Sequence, residues 1–127
     1  MKKEIIQTAD APAAIGPYSQ AIKVNGVLYS SGQIAINPNS GLLEIDDIDL
    51  ETKRVMLNLK AVLKAAGLEF SDVVKVSIFL KNMDDFDRVN QVYATFFTEN
   101  YPARETVQVA KLPRDVNVEI SIVAFAA

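Results

Sequence analysis

Arg104 and Glu119 are the residues best suited to chemistry on a small polar molecule, and each falls near the start of a β-like run. Around 104–110, Val107 and Val109 oppose Arg104, Thr106, Gln108 and Ala110. Along 117–125, Val118, Ile120, Ile122 and Ala124 oppose Glu119, Ser121, Val123 and Phe125. A loop around Lys111–Val116 joins the two runs, so they are expected to pair antiparallel with Arg104 and Glu119 on the same, non-helical sheet face. An arginine binds a carboxylate through two parallel bonds, and a glutamate beside it holds a water for attack or takes a proton. The same two residues also read as an ordinary cross-strand salt bridge. Pattern alone leaves both open.

Other positions add polar groups. Tyr18 follows Gly16-Pro17 in a stiff loop, where it either closes a pocket with its phenol or packs its own loop onto the domain. Ser31 and Gly32 end a strand, and Gly32 permits a ligand to approach the backbone closely. The same pair reads equally as a strand end with a bulge. Asn90 interrupts an apolar helical stripe, four residues after Phe86 and three before Tyr93, so its amide needs partners or a wet cleft. Lys75, Lys81 and Lys111 lie in no desolvated run and read as solvated.

Absences narrow the chemistry further. The 127 residues include no His, Cys or Trp. Ser-His triads, thiol nucleophiles, disulfides and imidazole- or thiolate-bound zinc are therefore excluded. No glycine-rich phosphate loop or dinucleotide fingerprint is present, and five glycines leave little room for one. Thirteen basic against sixteen acidic residues give a net charge of −3 with no basic stripe, so no nucleic-acid partner is expected. Neither a signal-peptide run nor a membrane-length span is visible, and a cytoplasmic protein without membrane association is expected. Carboxylates, Arg, Lys, Tyr, Ser, Thr, amides and water remain. They suit proton transfer or hydrolysis of an already reactive substrate.

The elements that must position these groups can be read as one domain spanning 1–127. Asn25-Gly26 between runs at about 20–24 and 27–32 predicts a β-hairpin, and Asn37-Pro38-Asn39-Ser40-Gly41 predicts a turn. Val55, Met56, Leu59, Val62, Leu63 and Ala66 predict a first helix, with Asp49 as N-cap, Glu51 in the first turn and Gly67 just past its end. Phe86, Val89, Tyr93, Phe96 and Phe97 predict a second, capped by Asp84 and stopped by Pro102. Between them Val74, Val76, Ile78 and Leu80 alternate with Lys75, Ser77 and Lys81 as a strand. The order ββαβαββ implies an α+β fold, a mixed sheet with both helices packed on one face. The other face, with Arg104, Thr106, Gln108, Glu119 and Ser121 beside Val123 and Phe125, reads as an oligomer interface edged by polar sites.

Gly16-Pro17-Tyr18-Ser19-Gln20, Ser31-Gly32-Gln33, Asn90, Pro102-Ala103-Arg104, and Val109-Ala110-Lys111-Leu112-Pro113 through Val118-Glu119-Ile120 together resemble the RidA family, also called YjgF/YER057c/UK114. Each motif alone is weak, but their order from about residue 8 to the C-terminus is specific. The resemblance implies a chorismate-mutase-like homotrimer with sites in clefts between subunits. It also implies hydrolytic deamination of reactive enamines and imines, such as 2-aminoacrylate, to 2-keto acids and ammonia, with no metal or organic cofactor. By the same resemblance Arg104 grips the substrate carboxylate and Glu119 positions or activates water. Tyr18 is a lid or proton partner, Ser31 and Gly32 line the pocket, and Asn90 supports it. Thr106 falls where many members carry Cys, which removes thiol chemistry from that substrate-binding position. The alternative is a 2-keto acid binding or regulatory module that uses the same Arg104 without catalysis. A chorismate-mutase-type isomerase would want several cations, and Arg104 is the only arginine in the motif set.

Overall fold

The computed structural model describes residues 2–126. Strands β1 (Glu4–Ile6), β2 (Ala21–Val24), β3 (Val27–Ser30), β4 (Val73–Leu80), β5 (Ala103–Gln108) and β6 (Val118–Phe125) form one mixed sheet in the order β1-β2-β3-β6-β4-β5. Helices α1 (Ile48–Ala65) and α2 (Phe86–Ala94) pack together on one face of it. The expected α+β architecture is present, with β1 as an additional edge strand whose three residues are too few to show alternation.

Local chemistry explains most elements. Asn25 and Gly26 both take positive φ (52° and 79°), which lets β2 and β3 join in a two-residue turn. Val55, Met56, Leu59, Val62 and Leu63 bury their stripe of α1 against the sheet. Gly67 follows the helix at φ 75°. The N-cap is Asp47, not Asp49: its carboxylate accepts the Asp49 N–H at 2.8 Å, because the helix starts as soon as Ile48 enters the core. Asn82 likewise replaces Asp84 as a capping group, accepting the Asp84 N–H in a 3₁₀ turn (Met83–Asp85) that leads into α2. Helix α2 stops at Ala94, well before Pro102, and Phe96 and Phe97 pack beyond its end, each ring 5.4 Å from that of Phe70. A bulge between Val73 and Lys75 puts Val73 in the core and turns Val74 outward, against the expected alternation.

The main correction concerns β5. It does not pair with β6. Strand β5 runs parallel to β4 on one side, while β6 runs antiparallel to β4 on the other. The connection from β5 to β6 passes around the end of β4, where Val109 N–H donates to Leu80 O and Lys81 N–H to Asn117 O. In register, Arg104 lies beside Val76, Thr106 beside Ile78 and Gln108 beside Leu80. Arg104, Thr106 and Gln108 therefore face the helices, and the open face carries Glu105 and Val107 in their place. A polar helix-facing row is tolerated because β5 is the outermost strand of the sheet. Glu119 stays on the open face beside Phe79.

One buried group sets where β6 begins. Glu51, completely enclosed on α1, accepts from Asn117 N–H (2.8 Å), Asn117 Nδ2 (2.7 Å) and Val118 N–H (3.2 Å). The residue after Val118 is Glu119, so this clasp fixes the height of that carboxylate along the sheet.

Candidate functional site

Two clefts carry all but one of the site residues singled out by sequence, one on each side of the sheet. The first, about 650 Å³, is lined by Tyr18, Ser31, Gly32, Arg114 and Glu119, with apolar walls that include Ile34 and Ile36. Its floor exists because the segment after β3 runs beside β6, with Gln33 N–H donating to Ile120 O at 2.8 Å and Ile120 N–H to Gln33 O at 3.1 Å. That places Gly32 against the Glu119 side chain. A Cβ at Gly32 would lie 2.5 Å from Oε2 and 2.7 Å from Cδ of Glu119, so only glycine admits this approach. Glu119 has no ion pair or hydrogen bond among the described residues, and burial pushes its carboxyl above the ordinary carboxylate value. An acid of this kind, half-buried and uncommitted in a cleft, is suited to hold a water and take its proton.

Ser31 has a second task. Its hydroxyl donates to Ser19 O at 2.5 Å and its N–H to Gln20 O at 2.9 Å, which ties the Tyr18 loop to the strand end. Gln20, buried, anchors the same loop through Pro12 O (2.8 Å) and Thr8 O (3.0 Å). Tyr18 itself is exposed at the mouth, following Gly16 at φ 129°.

The second cleft, about 490 Å³, lies on the helix side and is lined by Asn90, Tyr93, Ala94, Tyr101, Pro102 and Arg104. Arg104 Nη1 donates to Asn90 Oδ1 at 2.6 Å. Its guanidinium carbon sits 5.0 Å from the Tyr93 ring centroid and 5.6 Å from that of Phe86. The polar break at Asn90 is thereby accounted for: the amide orients a cation that also lies over two aromatic rings. Burial raises the Tyr93 phenol above its usual value, against the opposing pull of Arg104. The fork of Arg104 meets no carboxylate among the described residues. Thr106 lies two residues along on the same face and lines neither cleft; its hydroxyl is buried without a partner.

Within one chain, then, Tyr18, Ser31, Gly32 and Glu119 come together, as do Asn90 and Arg104, but the two sets stand on opposite faces of the sheet. Sequence reading missed Arg114, Tyr93 as a platform, and Glu51 as a clasp. Only Arg114 left a visible signal, a charged residue directly after Leu112-Pro113.

The family model described as Endoribonuclease L-PSP matches residues 8–126. The chain belongs to the RidA/YjgF/YER057c/UK114 family. Among its RidA-family relatives, the mouse 2-iminobutanoate/2-iminopropanoate deaminase is 47% identical, with 96% of this chain and 90% of that protein covered. RidA from an Antarctic Psychrobacter superposes with a TM-score of 0.93 at 41% identity, covering 97% of this chain and 99% of the other. Escherichia coli TdcF, whose structure holds bound serine, gives 0.94 at 38% identity and covers 98% and 99%.

Proposed function

We propose that this RidA-family chain hydrolyses reactive enamine and imine intermediates, such as 2-aminoacrylate, to 2-keto acids and ammonia. The observation that carries the reading is a pair of charged groups without an ion-pair partner among the described residues: a half-buried carboxylate, Glu119, against Gly32, and an arginine fork, Arg104, positioned by Asn90 and two aromatic rings. The deaminase activity named for the mouse relative supplies the substrate class.

Arg104 takes the substrate carboxylate through its fork, oriented by Asn90 and the Tyr93 and Phe86 rings. The enamine tautomerises to the imine, whose carbon is electrophilic. Glu119, ionised, accepts a proton from water as its oxygen bonds to that carbon. The C=N bond becomes a carbinolamine; the nitrogen, once protonated, leaves as ammonia, and the water oxygen remains as the keto carbonyl. Tyr18 closes the mouth and offers a phenol for the proton traffic, and Ser31 and Gly32 line the pocket; Thr106, beside Ile78 with its hydroxyl buried and lining neither cleft, takes no part in these steps. No metal or organic cofactor enters these steps.

For Arg104 and Glu119 to act on one molecule, two chains must meet. The reading therefore includes a chorismate-mutase-like homotrimer in which the helix-side cleft of one subunit faces the open-face cleft of its neighbour. Supporting it, the open face exposes Phe125, Tyr29 and Val107 with no helix over them. The absence of histidine and of a basic stripe argues against cleavage of RNA phosphodiesters despite the name of the family model. A 2-keto acid binding module is favoured instead if the chain works alone, since the two sets of residues are then separated by the sheet. No helix among the described residues is long and apolar enough to cross a membrane.

The test generates 2-aminoacrylate with a serine dehydratase and follows pyruvate release. Wild type accelerates release and Arg104→Ala does not, with unchanged melting. Equal rates with and without wild type would overturn the reading in favour of the binding module.

A further inference from the structure

Arg114 lines the same cleft as Glu119, and no step derived above uses it. Its charge is uncommitted. Of the four arginines, Arg54 pairs with Glu44 at 3.1 Å, Arg88 pairs with Asp47 at 2.9 Å and Asp49 at 3.1 Å, and Arg104 is held by an amide and two rings. Arg114, exposed at the cleft mouth, makes no ion pair or hydrogen bond through its side chain among the described residues. An arginine fork left open beside apolar walls is a ready site for a planar anion.

The backbone also holds Arg114 in place at a cost. Arg114 (φ 55°) and Asp115 (φ 56°) are consecutive non-glycine residues in the left-handed region, where Cβ crowds the backbone. The turn is pinned by Lys81 Nζ on Asp115 Oδ1 at 3.2 Å, by Asp115 N–H on Leu112 O at 3.0 Å and by Val116 N–H on Pro113 O at 3.3 Å. These bonds fix the backbone at position 114, on the cleft wall.

Capacity points the same way. In a single chain the cleft is about 650 Å³, within the about 300–1,000 Å³ of ligand-holding pockets, which leaves room for a neighbour's Arg104 and for more than a three- or four-carbon imine. With Arg104 of a neighbouring subunit assigned to the α-carboxylate, we infer that Arg114 receives a second anionic group on the substrate, so that the cleft takes imines of dicarboxylic amino acids as well as small monocarboxylic ones. This rests on the deaminase reading. The reaction is unchanged: water adds across C=N, its oxygen becomes the keto carbonyl, ammonia leaves, and the distal carboxylate is neither made nor broken.

The test compares imines of aspartate and alanine, each generated in situ by an amino-acid oxidase, and reads the ratio of their kcat/KM values. Arg114→Gly is the informative variant, because it removes the guanidinium and relieves the left-handed strain, so the fold is retained. The aspartate-to-alanine ratio falls about tenfold or more in Arg114→Gly, the loss of a charge-assisted bond, and to an intermediate value in Arg114→Lys, which keeps charge without the fork. An unchanged ratio in Arg114→Gly overturns the inference and leaves the deaminase reading intact. So does a wild type that hydrolyses the alanine imine but leaves the aspartate imine at its uncatalysed rate. A wild type inactive on both overturns the deaminase reading itself.

Discussion

Gly32→Ala should separate catalysis from folding. The added methyl carbon would stand 2.5 Å from Oε2, 2.7 Å from Cδ and 3.0 Å from Cγ of Glu119. Carbon atoms pack at about 3.5–4.0 Å, so the carboxylate must withdraw by about 1 Å. What moves is the far end of a flexible side chain with no hydrogen bonds to break, so a shifted rotamer costs the fold only about 1 kcal/mol. Misplacing a catalytic group by 1 Å costs about 100-fold in rate. The expected result is a kcat lower by about 100-fold, a KM within about threefold, since Arg104 is untouched, and a nearly unchanged melting temperature. Pyruvate release from dehydratase-generated 2-aminoacrylate, with thermal unfolding alongside, reads all three. The double variant Gly32→Ala/Glu119→Ala should be no slower than Glu119→Ala, because the methyl then displaces nothing. A kcat within twofold of wild type, or additive losses in the double variant, would refute the claim that Gly32 exists to admit the Glu119 carboxylate.

Three further outcomes are expected. Burial raises the Glu119 pKa, so its ionisation opposes folding: stability from this group is present below its unfolded pKa and lost as pH rises through the folded one. Glu119→Gln should therefore raise the melting temperature at pH 7 but not at pH 3, and kcat/KM of wild type should climb with pH through the raised value; denaturation scans and a pH–rate profile check both. Asn90→Ala removes the 2.6 Å bond to Arg104, about 1.5–3 kcal/mol for a bond to a charged group, and should raise KM at least tenfold with a smaller change in kcat, measured by steady-state kinetics. Phe125→Asp on the open face should yield monomers in sedimentation at micromolar concentration and abolish turnover, although Arg104 and Glu119 are both retained.

The legible parts of this molecule were those written in neighbouring residues. Asn25-Gly26 specified its hairpin because both residues accept positive φ, and the α1 stripe specified its buried face because helical period and apolar spacing coincide. Asn90 announced itself as a polar break in an apolar stripe, and the motifs carrying the family resemblance picked out Tyr18, Ser31, Gly32 and Glu119, which the fold gathers in one cleft. Both caps lie two positions earlier than local pattern indicated, because Ile48 and the 3₁₀ turn before α2 answer to core packing, which local pattern does not record.

The sheet order was a different matter. Alternation told correctly that Arg104, Thr106 and Gln108 share one side of β5, yet it carries no information about which side meets the helices. That depends on β5 pairing parallel with β4 after the α2 crossover rather than folding back on β6. The contact between Gly32 and Glu119, the Glu51 clasp on the start of β6 and the two aromatic faces under Arg104 likewise join residues far apart in the chain. Sequence by itself determined all the elements but β1, most of the apolar faces and most of the chemically able residues, because these follow from local backbone preference and periodicity. Tertiary structure alone decided that Arg104 and Glu119 stand on opposite faces of the sheet, because strand partners are chosen by long-range packing of the whole core.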